Sequence, residues 1–138
     1  MEKTIVTIEA TVNAPVEKVW TSWNGPEHIT KWNAAHESWH CPKAEVDLRV
    51  GGAFTSRMEA KDGSFGFDFG GIYDVVETNK RIAYTMGDGR KVNVDFKRDG
   101  EKTHIVSNFE AETENPVEMQ KGGWQAILDN FKQYTEKL

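Results

Sequence analysis

From Thr4 to Val12 the chain alternates, with Val6, Ile8, Ala10 and Val12 on one side and Thr7, Glu9 and Thr11 on the other. That period predicts a half-buried strand. The period then changes. Val16, Val19, Trp20 and Trp23 follow helical spacing behind Asn13-Ala14-Pro15, and proline is well tolerated in a first helical turn. Asn24-Gly25-Pro26 stops this short helix and opens a second one carrying Ile29 and Trp32. Residues 33–42 show no period and are predicted as a loop holding His36, Trp39, His40 and Cys41.

Alternation returns at Ala44, Val46, Leu48 and Val50, predicting a strand that turns at Gly51-Gly52. Phe54, Ser56 and Met58 share a face of the next strand. Lys61-Asp62-Gly63-Ser64 is a hairpin signal, because Asp-Gly readily takes the positive φ of tight turns. Phe65, Phe67 and Phe69 then share a face, followed by a candidate bulge at Gly70-Gly71 and by Tyr73 and Val75. Three further strands carry Ile82, Tyr84 and Met86, then Val92, Val94 and Phe96, then Ile105, Ser107 and Phe109. Asp88-Gly89 and Asp99-Gly100 separate them, so the whole run predicts an antiparallel meander.

After Asn115-Pro116 the spacing is helical to Leu138. Ile127, Leu128, Phe131, Tyr134 and Leu138 continue one face from Trp124, while Lys121, Gln125, Asp129, Lys132 and Glu136 take the other. Gly122-Gly123 interrupts this helix near its start, at a cost of roughly 2 kcal/mol relative to alanines. Such a pair implies close backbone approach, a bend, or a gap left on purpose. The predicted order is β-α-α-β(6)-α, an α+β fold in which a curved antiparallel sheet grips the terminal helix.

Composition narrows the function classes. At 138 residues the chain suits a single domain, residues 1–138, with no linker or internal repeat. A net charge of −5 argues against a nucleic-acid partner, which would select a basic patch. Arg90-Lys91 and Lys97-Arg98 read as solvated hairpin ends. No apolar run approaches the ~20 residues of a membrane span. Met1-Glu2-Lys3-Thr4 leads straight into the first strand without a signal-peptide pattern, and Cys41 is the sole cysteine, so the expected location is cytoplasmic.

These elements are familiar. Ala14-Pro15-Val16-Glu17-Lys18-Val19-Trp20, Pro26-Glu27-His28-Ile29-Thr30-Lys31-Trp32, Asp47-Leu48-Arg49-Val50-Gly51-Gly52-Ala53-Phe54 and Gly123-Trp124 carry a resemblance that spans nearly the whole chain. It is to the START-like, Bet v 1-like (SRPBCC) superfamily with its helix-grip fold. The branch it resembles is that of the C-terminal domain of the Hsp90 ATPase activator, often labelled polyketide-cyclase-like. The resemblance implies a cavity between sheet and terminal helix that takes hydrophobic or amphipathic small molecules. Superfamily members include lipid carriers, hormone receptors, cyclases and co-chaperone domains, and fold does not choose among them.

The 5 Trp, 3 Tyr and 7 Phe supply candidates for that cavity. Its expected lining is drawn from Trp32, Trp39, Phe54, Met58, Phe67, Phe69, Tyr84, Met86, Phe96, Met119 and Trp124, each of which also suits an ordinary core. The expected volume is roughly 300–1,000 Å³. His36, His40 and Cys41, with Glu37, invite a metal, but their spacing matches no zinc signature, and neither metal nor cofactor is expected. Asp68 and Arg57 alternate away from the aromatic face. Tyr73, Tyr84, Ser107 and His104 are candidates to bring a hydroxyl or imidazole near the cavity, without a partner for acid/base chemistry. Gly63 to Gly71 runs into strands, not a helix, so no phosphate loop is read there. The expected function is binding of a hydrophobic or aromatic small molecule. A cyclase- or hydrolase-like enzyme comes second, and an Hsp90-type chaperone partner third.

Overall fold

The computed structural model describes residues 4–138; the run Met1-Glu2-Lys3 lies outside the described residues. In chain order the elements are β1 (Ile5–Val12), α1 (Val16–Asn24), α2 (Pro26–Trp32), β2 (Trp39–Val46), β3 (Ala53–Ala60), β4 (Gly66–Glu77), β5 (Arg81–Met86), β6 (Lys91–Asp99), β7 (Lys102–Glu110) and α3 (Val117–Glu136). This is the expected β-α-α-β(6)-α order of an α+β, helix-grip fold. All strands join one antiparallel sheet in the order β1-β7-β6-β5-β4-β3-β2. The meander accounts for that order from β2 to β7, and β1 closes it by pairing with β7.

Turn chemistry does much of the local work. Gly63, Gly89 and Gly100 sit at φ 78°, 91° and 62°, where a side chain would be strained. Between β4 and β5 the same region is taken by Asn79 at φ 64°, a residue type that tolerates it.

Two strands depart from the alternation read in the sequence. β2 starts at Trp39 and ends at Val46, so Trp39, His40 and Cys41 are strand and Leu48 and Val50 are loop. The reason is a register shift between His40 and Lys43, around Pro42, which breaks the period-two signal. Val50 is 65% exposed. In β4, Gly70 and Gly71 pair regularly with Thr55 and Phe54, and the bulge lies instead between Tyr73 and Val75. The extra residue, Asp74, turns Val75 outward and gives Val76 the inward place opposite Ile82. The glycines answer a different need. A Cβ on Gly70 would sit 2.3 Å from the Phe54 carbonyl oxygen, and one on Gly71 2.5 Å from that of Thr85. Neighbouring backbones thus crowd β4 from both sides.

α3 runs uninterrupted through Gly122-Gly123, and a Cβ added at either would meet nothing within 4 Å. Close backbone approach is therefore not what the pair serves. The buried stripe of α3 is Leu128, Phe131 and Thr135, with Trp124, Ile127 and Tyr134 half-buried beside it. Leu138 is 49% exposed and does not extend the stripe. Phe131 packs edge-on against Trp23 and Trp32 at 4.9 and 5.0 Å between ring centroids, and Trp23 meets Phe96 at 5.6 Å. Trp32 Nε1 donates to the Ser22 carbonyl at 3.0 Å, so the buried indole of this cluster keeps its hydrogen bond. The C-terminal turns of α3 are tied down by Glu136, which accepts from the Asn13 amide at 2.8 Å, and by Tyr134, bonded to His28 at 2.6 Å.

Candidate functional site

α3 packs against β1 and against α1 and α2, on one side of the sheet's concave face. The inner faces of β3, β4 and β5 are therefore only partly covered. A cavity of about 320 Å³ occupies the remaining space. Its far end is closed by Trp23, Ile29 and Trp32 from α1 and α2. Met58, Phe67 and Phe69 line it from β3 and β4, and Trp124, Ile127 and Leu128 from α3. Trp124 is held in place by stacking on Phe109 at 4.1 Å with only 10° between the rings, and by an edge contact with Phe69 at 6.0 Å. A flat ring packed this way presents its edge and remaining face as a rigid wall.

Among the polar groups on the wall, Tyr73, Tyr84 and Arg90 lie together toward the hairpin joining β5 and β6. Tyr73 and Tyr84 are cross-strand partners, and Phe54 packs against both rings at 5.2 and 4.7 Å. Burial pushes both phenols well above the usual tyrosine range; Asp47 adds to this for Tyr73, and Tyr73 for Tyr84, where Arg90 works in the opposite direction. Both are thus neutral hydroxyls at physiological pH. Arg90 donates through Nε to Asp88 at 2.7 Å and through Nη1 to the Glu110 carbonyl at 3.1 Å. Ser107 lines the floor from β7, and Asn24 and Asn33 line the opposite end. Asn24 Nδ2 donates to the Trp20 carbonyl at 3.0 Å.

Of the residues expected to line a cavity, Trp32, Phe54, Met58, Phe67, Phe69, Tyr84 and Trp124 are brought together around this one. Four are placed elsewhere. Phe96 and Met86 are buried core, Phe96 wedged against Trp20 at 5.4 Å. Trp39 lies at the β2 edge against Phe65 and Phe67, 6.0 Å from each. Met119 is 64% exposed, because the first turn of α3 precedes the part of the helix that packs on the sheet. Tyr73 and Ser107 join the wall, whereas His104 faces outward, 2.8 Å from Thr11 and 3.1 Å from Glu9.

His36, His40 and Cys41 take separate partners: His36 bonds Ser38 at 2.8 Å, His40 lies 3.9 Å from Glu59, and Cys41 is buried with its thiol toward the Lys43 carbonyl. Asp68 pairs with Arg57 at 3.5 Å and stays at the surface. Among residues the sequence reading passed over, Trp23 was assigned to a helical core stripe and Arg90 to a solvated hairpin end; both are cavity wall. The signal for Arg90 was present, since it shares the parity of Val92, Val94 and Phe96.

Comparison with known proteins bears on this arrangement. The family model described as "Activator of Hsp90 ATPase homolog 1-like protein" matches residues 13–136. The chain belongs to that family. Its match takes in every residue of the cavity wall except Ile8. A solution structure of the AHSA1-like protein from Aeromonas hydrophila is 46% identical and has a TM-score of 0.91, with 97% of this chain and 93% of that one covered. A Cytophaga hutchinsonii protein is 56% identical at a TM-score of 0.83, over 96% of this chain and 92% of that one. A Nitrosomonas europaea protein shares the fold at 20% identity, with a TM-score of 0.83 over 96% and 94% of the two chains. Comparison with curated proteins gives no match. As a member of the family the chain carries the START-like helix-grip fold, and among its described residues no helix is long and apolar enough to cross a membrane.

Proposed function

We propose that this protein binds a hydrophobic or aromatic small molecule in the cavity between the sheet and α3. The observation that carries the reading is the wall itself: about 320 Å³ bounded by aromatic and aliphatic side chains with a few gathered polar groups. That size and composition fit ligand pockets, which run from roughly 300 to 1,000 Å³. Trp32, Phe54, Met58, Phe67, Phe69, Tyr84 and Trp124 are the proposed contacts. Binding without turnover is favoured, because the wall offers neutral phenols and amides but no nucleophile hydrogen-bonded to a base. We place the protein in the cytoplasm, where an unpaired, buried Cys41 stays reduced.

Three of the tryptophans, Trp23, Trp32 and Trp124, are on the wall, so binding is readable in their emission. Titration with neutral aromatics such as biphenyl and naphthalene is expected to change it saturably. Ser107→Leu, which fills the floor, is expected to weaken the effect roughly tenfold, as ~1.4 kcal/mol of lost fit would. A panel of such probes giving no saturable change would overturn the reading. The family model's name favours a second reading, contact with an Hsp90-type chaperone; co-purification with that chaperone at stoichiometric ratio would promote it over the first.

A further inference from the structure

We propose that the ligand carries a carboxylate, seated at the β5–β6 end of the cavity against Arg90, Tyr84 and Tyr73. The inference rests on the cavity being a ligand site and adds the chemistry of the ligand's head. The argument begins from unmet hydrogen-bonding capacity. Tyr73, Tyr84 and Ser107 are 5%, 8% and 3% exposed, yet among the described residues none of their hydroxyls has a partner. They are also absent from the sealed, unsatisfied atoms, where Thr135 Oγ1 stands alone. Their oxygens therefore open onto free space, and all three residues line the cavity. Buried hydroxyls left without partners are costly in a folded protein, and a ligand or water is the usual remedy.

Arg90 supplies the charge. It lines the same cavity with its side chain 25% exposed. Two of its nitrogens are used, Nε on Asp88 and Nη1 on the Glu110 carbonyl, and Nη2 has no partner among the described residues. These two bonds fix the guanidinium plane, so its three remaining N–H donors are held in one orientation, which suits recognition of a planar anion. The acids nearby are already engaged: Asp88 by Arg90 itself, Asp47 by Arg49 at 2.9 Å, and Glu110 through the Lys91 amide at 2.6 Å.

A head group for this corner must accept from several donors. A carboxylate has two oxygens with about four lone-pair sites and no proton to place. An amide of the same shape offers one neutral oxygen and no charge to set against the guanidinium. The body of the ligand then lies along Phe54, Phe69 and Trp124 toward Met58 and Trp32, which demands an apolar chain or ring system. An aromatic or aliphatic carboxylic acid meets both requirements.

The test compares para-phenylbenzoate, para-phenylbenzamide and biphenyl by isothermal titration at neutral pH on the full chain. The acid is expected to bind roughly tenfold or more tightly than the amide, the margin of one charge-assisted hydrogen bond over a neutral one. Arg90→Gln is expected to abolish that margin between acid and amide, and Arg90→Lys to retain part of it. Thermal melts show that the variants fold. Equal binding of acid and amide by the unsubstituted protein overturns the carboxylate head and leaves the cavity reading intact. Failure of all three probes, biphenyl included, overturns both.

Discussion

Thr135 sits at the last turn of α3, fully buried, and its hydroxyl has no hydrogen-bond partner among the described residues. A buried donor left unmet costs about 1–3 kcal/mol, while its apolar isostere costs nothing of the kind. Valine has the same shape and the same β-branching, so helix propensity barely changes. Thr135→Val is expected to raise stability by about 1 kcal/mol, or the thermal midpoint by about 3 °C. A urea melt showing no gain would mean that the hydroxyl is satisfied in solution. Arg90 teaches the complementary lesson at the same scale. Its charge marked it as solvated, but its place two residues before Val92, just ahead of β6, gives it the parity of that strand's inner face. Parity was the better guide, because a strand cannot turn one side chain outward without a bulge.

Helix α3 combines a well-packed second half with a thin first half. Gly122 and Gly123 lie in open space, and neither has a positive φ. Alanine fits both places, and each glycine weakens the helix by about 0.8–1 kcal/mol relative to alanine. Gly122→Ala and Gly123→Ala are each expected to stabilise the protein by about that amount, read as a shift of the urea midpoint with an unchanged slope. Loss of stability would reveal a strained backbone there. The strands show where elements were and were not legible. Asp-Gly turns and clean alternation placed β5, β6 and β7 from sequence. β2 and β4 misled, because one inserted residue in each reverses inside and outside. Val75 loses its inward place to Val76 for that reason, while Trp39, expected in a loop, opens β2, and Met119 lies in the first turn of α3, ahead of the part that packs on the sheet.

For the molecule as a whole, the fold was legible because turns, alternation and helical spacing agree with one another. The cavity's polar corner was not, since it joins β4, β5 and the hairpin before β6 and exists only once the strands are in register. That corner also sets the response to alkali. Burial raises the Tyr73 and Tyr84 phenols and the Cys41 thiol, so the native state keeps these protons to higher pH than the unfolded chain does. With more protons bound by the native state, stability must fall as pH rises past the unfolded values, about 8.5 for the thiol and about 10 for the phenols. Tyr84→Phe is expected to flatten the decline above pH ~10. A profile identical to that of the unsubstituted protein would show that the phenol ionises freely.

The pairing of β1 with β7 has a consequence for how the chain assembles. Ile5 meets Glu110, and Val12 meets Thr103. β1 is thus synthesised well before β7 and finds its neighbour only after the entire meander has been made. Until then its inward side chains, Val6, Ile8 and Val12, have no sheet to join. Contacts this distant along the chain make loop closure the slow event. Docking of β1 on β7 is accordingly a late step of folding, and β1 is the strand that waits longest for its neighbour.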